Sequence, residues 1–273
     1  MPTLPRSPLN MISSLSNKKV RLVQSLQARS RVRYRERRLV VEGTRLVQEG
    51  LTAGLVPDLF FYTANWAQSR TGAPLLETAE SVTSPFLVSE EVLRSCTDTE
   101  TPPGVLAVFP FPDLPIPAAP TLVLVVDRLR MPGNLGAILR TAAAAGVELA
   151  LLPPGNVDPL NPKVLRGGMG AHFQLPVSRV GWKELARRLS GLNIWLASAT
   201  KGRRYDQIDW RQPTALIVGG EAAGATERVA SMASGQVHIP MPGAMESLNS
   251  AVATGVLLFE IARQRAEPIP NEP

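Results

Sequence analysis

A chain of 273 residues, 44% of them hydrophobic, is long enough for one large or two ordinary domains and too apolar for wholesale disorder. The formal net charge of +6 favours a polyanionic partner, and no apolar run approaches the roughly 18 residues that would read as a membrane span. One cysteine, Cys96, and two histidines, His172 and His238, leave no disulfide framework and no zinc donor set, so no metal and a reducing cytoplasm are expected.

The first residues, MPTLPRSPLNM, lack a signal-type apolar core and read as a frayed tail. Val20, Val23 and Leu26 recur at helical spacing, predicting a helix to about Ala28 capped by Ser16 or Asn17. Ten basic residues lie between Lys18 and Arg45 against two acids, Glu36 and Glu42. That density is the footprint of a polyanion binder, and Lys18, Lys19, Arg29, Arg31, Arg33, Arg35 and Arg45 are its candidate phosphate contacts. The competing reading is a solvated helix face that only keeps the protein soluble. Strands are predicted at Leu39 to Val41, Pro57 to Tyr62, Phe86 to Val88 and Val105 to Phe109, alternating with helices from Thr44, around Trp66, and after a Ser89 cap. This alternation makes residues 1–109 a small α/β domain.

Residues 110–120, PFPDLPIPAAP, contain five prolines, which cannot sit inside a helix or donate to a sheet, so they read as a semi-rigid linker. Residues 121–273 follow as a second domain. Its predicted strands, LVLVV, LALLP, NIWLAS, ALIVGG and the one at Val237 to Pro240, are continuously apolar, as in a parallel sheet covered on both faces. Helices are predicted from about Leu135 to Ala145, around Lys163 to Arg166, from Trp182 to Leu189, and from about Asn249 to Arg265. Three strands break into Gly-rich turns, and ligands of open α/β sheets lodge at such carboxyl ends. Neither a G-x-G-x-x-G fingerprint nor a P-loop is present. His172, between Ala171 and Phe173, reads as a packed structural histidine.

Three segments carry the specific signal: PGNLGAILRTA, LIVGGEAAG and IPMPGAMESLNSAVA, in that order. Together they resemble the motifs of the SpoU (TrmH) family of RNA ribose 2′-O-methyltransferases, in the knotted SPOUT class. SLSNKKVRLVQSL, LVVEGTRLVQEG and TETPPGVLAV are similar to the RNA-binding domain that many rRNA-modifying members carry ahead of the catalytic one. The resemblance implies an α/β fold with a parallel sheet and a trefoil knot, S-adenosylmethionine as cofactor, RNA as partner, and a homodimer. It also implies the site. Arg140, Asn134, Glu221, Ser247 and Asn249 match the catalytic motif positions, and Gly219, Gly220, Ile239, Met241 and Leu248 the cofactor-contacting ones. Asn134, Ser247 and Asn249 could instead be helix caps, and Ile239, Met241 and Leu248 simple core. Gly136 is expected to permit close packing. Met131 and Gly168 depart from the residues common at their positions, Asp and Ser.

Methylation of a ribose hydroxyl in structured RNA is therefore the leading expectation, with ribosomal RNA as the first substrate to consider. A tRNA substrate, a non-catalytic RNA-binding or ribosome-assembly protein on the same scaffold, and an unrelated small-molecule enzyme are the alternatives. The four polar motif residues Asn134, Arg140, Glu221 and Asn249 argue against a retired site, and the basic segment argues against a small-molecule enzyme.

Overall fold

The structure is a computed structural model that describes residues 11–220 and 224–266. It divides into two compact units, Met1–Asp113 with Leu160–Pro162, and Leu114–Pro159 with Lys163–Pro273.

The first unit runs α1 (Lys18–Ala28), α2 (Ser30–Glu36), β1 (Arg38–Glu42), α3 (Thr44–Thr52), β2 (Leu59–Tyr62), α4 (Ala64–Ala67), α5 (Gly72–Val82), β3 (Phe86–Leu87), α6 (Glu90–Ser95) and β4 (Val105–Pro110). The Asn17 carboxamide caps α1, accepting from the Lys19 amide at 2.9 Å. The arginine-rich segment, for which the periodicity gives no element, is a second helix that stops where Arg37 turns left-handed at φ 52°. The sheet order is β1-β4-β2-β3. β4, last in sequence, lies between β1 and β2 and pairs antiparallel with both, which is why it is apolar along its length. Val40, Phe61, Leu106 and Val108 pack on Val20, Val23 and Leu26 of α1 and on Val92, Leu93 and Cys96 of α6 and its end. Burial pushes the Cys96 thiol up to about 11, so it behaves as a small inert hydrophobe. β4 continues to Pro110, the first residue of the expected linker.

The second unit contains β5 (Leu122–Asp127), α7 (Pro132–Ala144), β6 (Leu149–Leu152), α8 (Pro162–Gly168), β7 (Val177–Arg179), α9 (Trp182–Leu189), β8 (Asn193–Ser198), β9 (Arg203–Arg204), β10 (Thr214–Gly219), α10 (Glu227–Ala230), β11 (Gly235–His238) and α11 (Ser250–Ala266). The seven strands run β7-β6-β5-β10-β8-β11-β9. Every pairing is parallel. Alternate residues of β5 and β10 point to opposite faces. Leu124, Val126, Leu216 and Val218 meet Leu135, Ile138 and Leu139 of α7 and Leu257, Leu258 and Ile261 of α11. Val123, Val125, Ala215 and Ile217 meet Leu185 and Leu189 of α9 and Val229 of α10. With both faces covered, a polar residue at any of these positions would be buried without water, so the strands read as unbroken apolar runs.

Four elements of this unit depart from the sequence-based expectation. α10 lies where no helix is predicted, and β11 begins at Gly235 and ends at His238 rather than running from Val237 to Pro240. α7 begins at Pro132 rather than near Leu135, because proline lacks the N–H that a first helical residue leaves unused and its φ suits that place. Asn134 therefore lies inside the first turn and is not a cap. The short edge strand β9 escapes the periodicity altogether: both residues are exposed, and only pairing with β11 makes it a strand. Gly136 lets α7 approach α8, since a Cβ there would lie 2.7 Å from the Val164 carbonyl oxygen and 2.8 Å from the Gly167 Cα.

His172 is the packed histidine expected from its neighbours. It is 5% exposed, and its Nε2 lies 2.9 Å from the Pro159 carbonyl oxygen, as an N–H donor would. Burial pulls the imidazole down to about 4 from its ordinary 6.5. Between those values an unfolded chain binds a proton that the folded one refuses, so stability falls as pH drops through that window. At about 1.4 kcal/mol per pH unit the loss is on the order of 3 kcal/mol at its upper limit. Denaturant titrations from pH 7 to 4 on His172→Gln should show this slope flattened; an undiminished slope would place the acid sensitivity elsewhere.

Candidate active site

The chain lays β5, β6 and β7 outward in one direction and then returns to build β8, β10 and β11 on the other side of β5. At such a reversal adjacent loops diverge, and the carboxyl ends of the strands leave a crevice. A cavity of about 580 Å³ lies there. Its walls are Met131 after β5, Ala197 to Ala199 at the end of β8, Gly219 and Gly220 at the end of β10, Ile239 and Met241 after β11, and the start of α11. All five residues expected to hold a cofactor line it, together with Asn134, Ser247 and Asn249. A second cavity, about 610 Å³, opens at the amino ends of β5, β8 and β10, and none of the expected site residues lines it.

The glycines at the end of β10 have a steric reason to be glycines. A side chain on Gly219 would collide with the backbones of Gly224 and Ala225, and one on Gly220 with the carbonyl of Arg128. Both therefore present bare peptide groups to the cavity. Asn249 does two things. Its Oδ1 accepts the Ala251 amide at 2.8 Å, capping α11 as the sequence allowed, while its Nδ2 donates to the Asn134 Oδ1 at 3.2 Å. This clasp joins the first and third motifs, 115 residues apart. Ser247 is exposed at the mouth.

Three expected positions fall outside this picture. Arg140 is exposed on α7, is absent from the lining, and makes no hydrogen bond or ion pair to another described residue. Glu221 lies outside the described residues. Arg33 is a correction: it is 3% exposed and its Nη1 donates to the carbonyls of Leu26 at 2.7 Å and Gln27 at 3.1 Å, closing the end of α1. A guanidinium spent on buried carbonyls is not free to hold phosphate. Lys18, Lys19, Arg29, Arg31, Arg35 and Arg45 are exposed as the RNA reading requires, although Arg35 also pairs with Glu36 at 2.8 Å. Arg33→Met should accordingly lower unfolding stability by about 2–4 kcal/mol, since it orphans two carbonyls, whereas Arg31→Met should cost less than about 0.5 kcal/mol. Equal losses in urea denaturation would refute the distinction.

Sequence reasoning missed Ala197, Ser198, Ala199 and Ser250. The first three carry no motif, and only the rule that ligands sit at strand ends pointed to them. Ser250 follows the SLN segment directly, and its buried Oγ has no hydrogen-bond partner among the described residues. Such an orphan at a cavity wall suits a polar ligand atom. Among the described residues no three His, Cys, Asp or Glu gather as a metal site, and no helix is long and apolar enough to cross a membrane.

An all-parallel, doubly covered sheet whose switch-point cavity combines bare glycine peptides, apolar side chains and a few amide groups defines an α/β domain built to hold a ligand at the carboxyl ends of its strands. Comparison with known proteins narrows this. Residues 121–259 match the SpoU rRNA Methylase family and residues 17–107 the MRM3-like substrate binding domain. An uncharacterized tRNA/rRNA methyltransferase of Synechocystis sp. is 36% identical, over 95% of this chain and 96% of its own. The 23S rRNA (guanosine(2553)-2′-O)-methyltransferase RlmP of Bacillus subtilis is 32% identical, over 93% of this chain and 99% of its own. The AdoMet-bound rRNA methyltransferase from Sinorhizobium meliloti superposes with a TM-score of 0.78 at 29% identity, covering 93% of this chain and 97% of that one. The chain belongs to the SpoU rRNA methylase family, whose members are S-adenosylmethionine-dependent RNA ribose 2′-O-methyltransferases.

Proposed function

We propose that this chain methylates a ribose 2′-hydroxyl of ribosomal RNA as a cytoplasmic homodimer. Residues 1–109 capture RNA, residues 110–120 link, and residues 121–273 transfer the methyl group. The observation that carries this reading is the convergence of eight motif residues from three distant segments on one cavity. The relative whose name specifies a guanosine 2′-O-methyl mark in 23S rRNA supports ribosomal over transfer RNA. The trefoil knot is part of the same proposal, and β10, lying between the earlier strands β5 and β8, supports it.

When bound, S-adenosylmethionine supplies a methyl group on a sulfonium, ready for displacement. The residues present fit it: Ile239, Met241 and Leu248 offer apolar walls to an adenine, the Gly219 and Gly220 peptides offer polar edges, and the Ser250 hydroxyl lacks a partner among the described residues. The Asn134–Asn249 clasp sits at the mouth, where it can orient a ribose hydroxyl. A ribose hydroxyl is a weak nucleophile at neutral pH, so its proton passes to solvent water as the oxygen meets the methyl carbon. A guanidinium stays protonated in ordinary surroundings, so Arg140 acts by gripping the adjoining phosphate and supporting the forming alkoxide.

The homodimer rests on α11 and its approach. Met245 is 73% exposed, Val252 53% and Phe259 53%, a run of large apolar groups that a second copy would cover. The transfer is tested with labelled cofactor on unmodified large-subunit rRNA, small-subunit rRNA and tRNA, followed by alkaline hydrolysis. A 2′-O-methyl group blocks cleavage at its own nucleotide, so one gap in an rRNA ladder is the expected result. A gap in tRNA alone would overturn the ribosomal assignment, and transfer to a base, leaving the ladder complete, would overturn the chemistry.

A further inference from the structure

The cavity has two lips, and both are basic in a way that neither motif nor family role accounts for. The loop after β5 carries Arg128 and Arg130 beside the lining residue Met131, and the loop after β8 carries Lys201 and Arg203 just beyond the lining residues Ser198 and Ala199. β5 and β8 both flank β10, so the two loops stand roughly 10 Å apart across the end of the strand that supplies Gly219 and Gly220. All four side chains are exposed, and none forms a hydrogen bond or ion pair to another described residue. The nearest carboxylate on the second lip, Asp206, is committed to Arg204 at 2.8 Å. Glu246, on the segment before α11, is exposed, and Asp127, next to Arg128, is buried with its Oδ2 accepting the Thr226 amide at 2.7 Å.

The backbones of the lips are also tied down by specific contacts. Gly202 is pressed on the Gln236 carbonyl, its own carbonyl lies 3.1 Å from the His238 Nδ1, and the Lys201 amide donates to the Ser198 Oγ at 3.0 Å. β9 then fixes Arg203 opposite Val237. Arg128 is held at φ 56°, with its carbonyl against Gly220. In that left-handed region a glycine is less strained than a residue with a side chain, so the backbone alone gives no reason for arginine.

We propose that Arg128, Arg130, Lys201 and Arg203 form a phosphate clamp on the catalytic unit itself, gripping the RNA backbone on either side of the nucleotide presented to the cavity. This deepens the assignment of the chain as an RNA ribose methyltransferase and rests on it. Cations fixed on two lips hold a strand in register by its phosphates, while the bases remain unread. The clamp thus sets position along the strand rather than sequence preference.

The test uses the full-length protein and a labelled rRNA fragment bearing the nucleotide that the hydrolysis ladder identifies. Arg128→Gly and Lys201→Ala/Arg203→Ala are compared with wild type by anisotropy over a salt series. The clamp predicts RNA affinity weaker by about 10-fold for each variant, and a log–log salt slope reduced by about 0.7 for every phosphate that is no longer neutralised. S-adenosylmethionine affinity should stay unchanged, and Arg128→Gly should melt no lower than wild type, because glycine suits the backbone there. Unchanged RNA affinity and slope would overturn the clamp while leaving the enzyme assignment intact. Loss of cofactor affinity in step with RNA affinity would overturn it too, assigning the cations to the cofactor carboxylate. A wild-type protein that binds no RNA would overturn both the clamp and the reading beneath it.

Discussion

Arg140→Ala is expected to lower methyl transfer at least about 1000-fold while leaving S-adenosylmethionine affinity within about two-fold. The reason is placement. Arg140 sits on the exposed side of α7, away from the cavity of its own chain, so its removal takes nothing from the cofactor. In the role proposed for it, what disappears is the grip on the adjoining phosphate together with charge stabilisation at the forming alkoxide, the second made only in the transition state. Arg140→Lys keeps the charge but not the planar fork, and should recover part of the rate. Full recovery would show that a point charge suffices. The two-chain arrangement has its own readout. If the cavity of one protomer is served by the partner's Arg140, mixing Arg140→Ala protein with a cofactor-blind variant should restore activity toward about a quarter of wild type, since half the dimers then hold one complete site. No restoration after subunit exchange would place Arg140 with its own chain's cavity.

The cofactor-blind variant is Gly219→Val, which should weaken S-adenosylmethionine binding about 100-fold or more. Any Cβ at this position overlaps backbone atoms of Gly224 and Ala225, which cannot rotate away as a side-chain tip would. The turn after β10 must then shift into the cavity that Gly219 lines. The distortion should also cost about 1–3 kcal/mol of stability, the usual range for overpacking. Calorimetric titration at a temperature where the variant remains folded separates the two effects. Cofactor affinity equal to wild type would mean that the bare peptide at Gly219 is not part of the cradle.

The two effects differ in how readable their residues were. Gly219 sits where an apolar strand breaks into glycines, a pattern visible in ALIVGG without any relative. The eight cavity residues were picked out by the resemblance to the family's motifs, and local sequence marked only the strand ends and turns near which they lie. The strands of the second unit were legible because burial on both faces forbids polar residues along them. Asn134 was placed correctly but its local role was not. Helix periodicity is blind to Pro132, which opens α7 one turn earlier than the apolar pattern does.

Arg33 shows the limit from the other side. Ten basic residues close together gave the correct sign for the surface, but charge counting cannot tell which guanidinium turns inward to close α1. That is decided by the angle at which α2 leaves α1, a tertiary quantity. The amino-acid sequence by itself determined most of the strands, because burial periodicity and turn chemistry act over a few residues, while its motifs carried the resemblance that implied the family and the site positions. Only the tertiary structure decided that three motifs meet at one cavity, that Asn249 reaches Asn134, that Arg140 stands outside it, and that two basic lips frame it. Those outcomes depend on strand order, and strand order arises from which surfaces can be buried together rather than from any local preference.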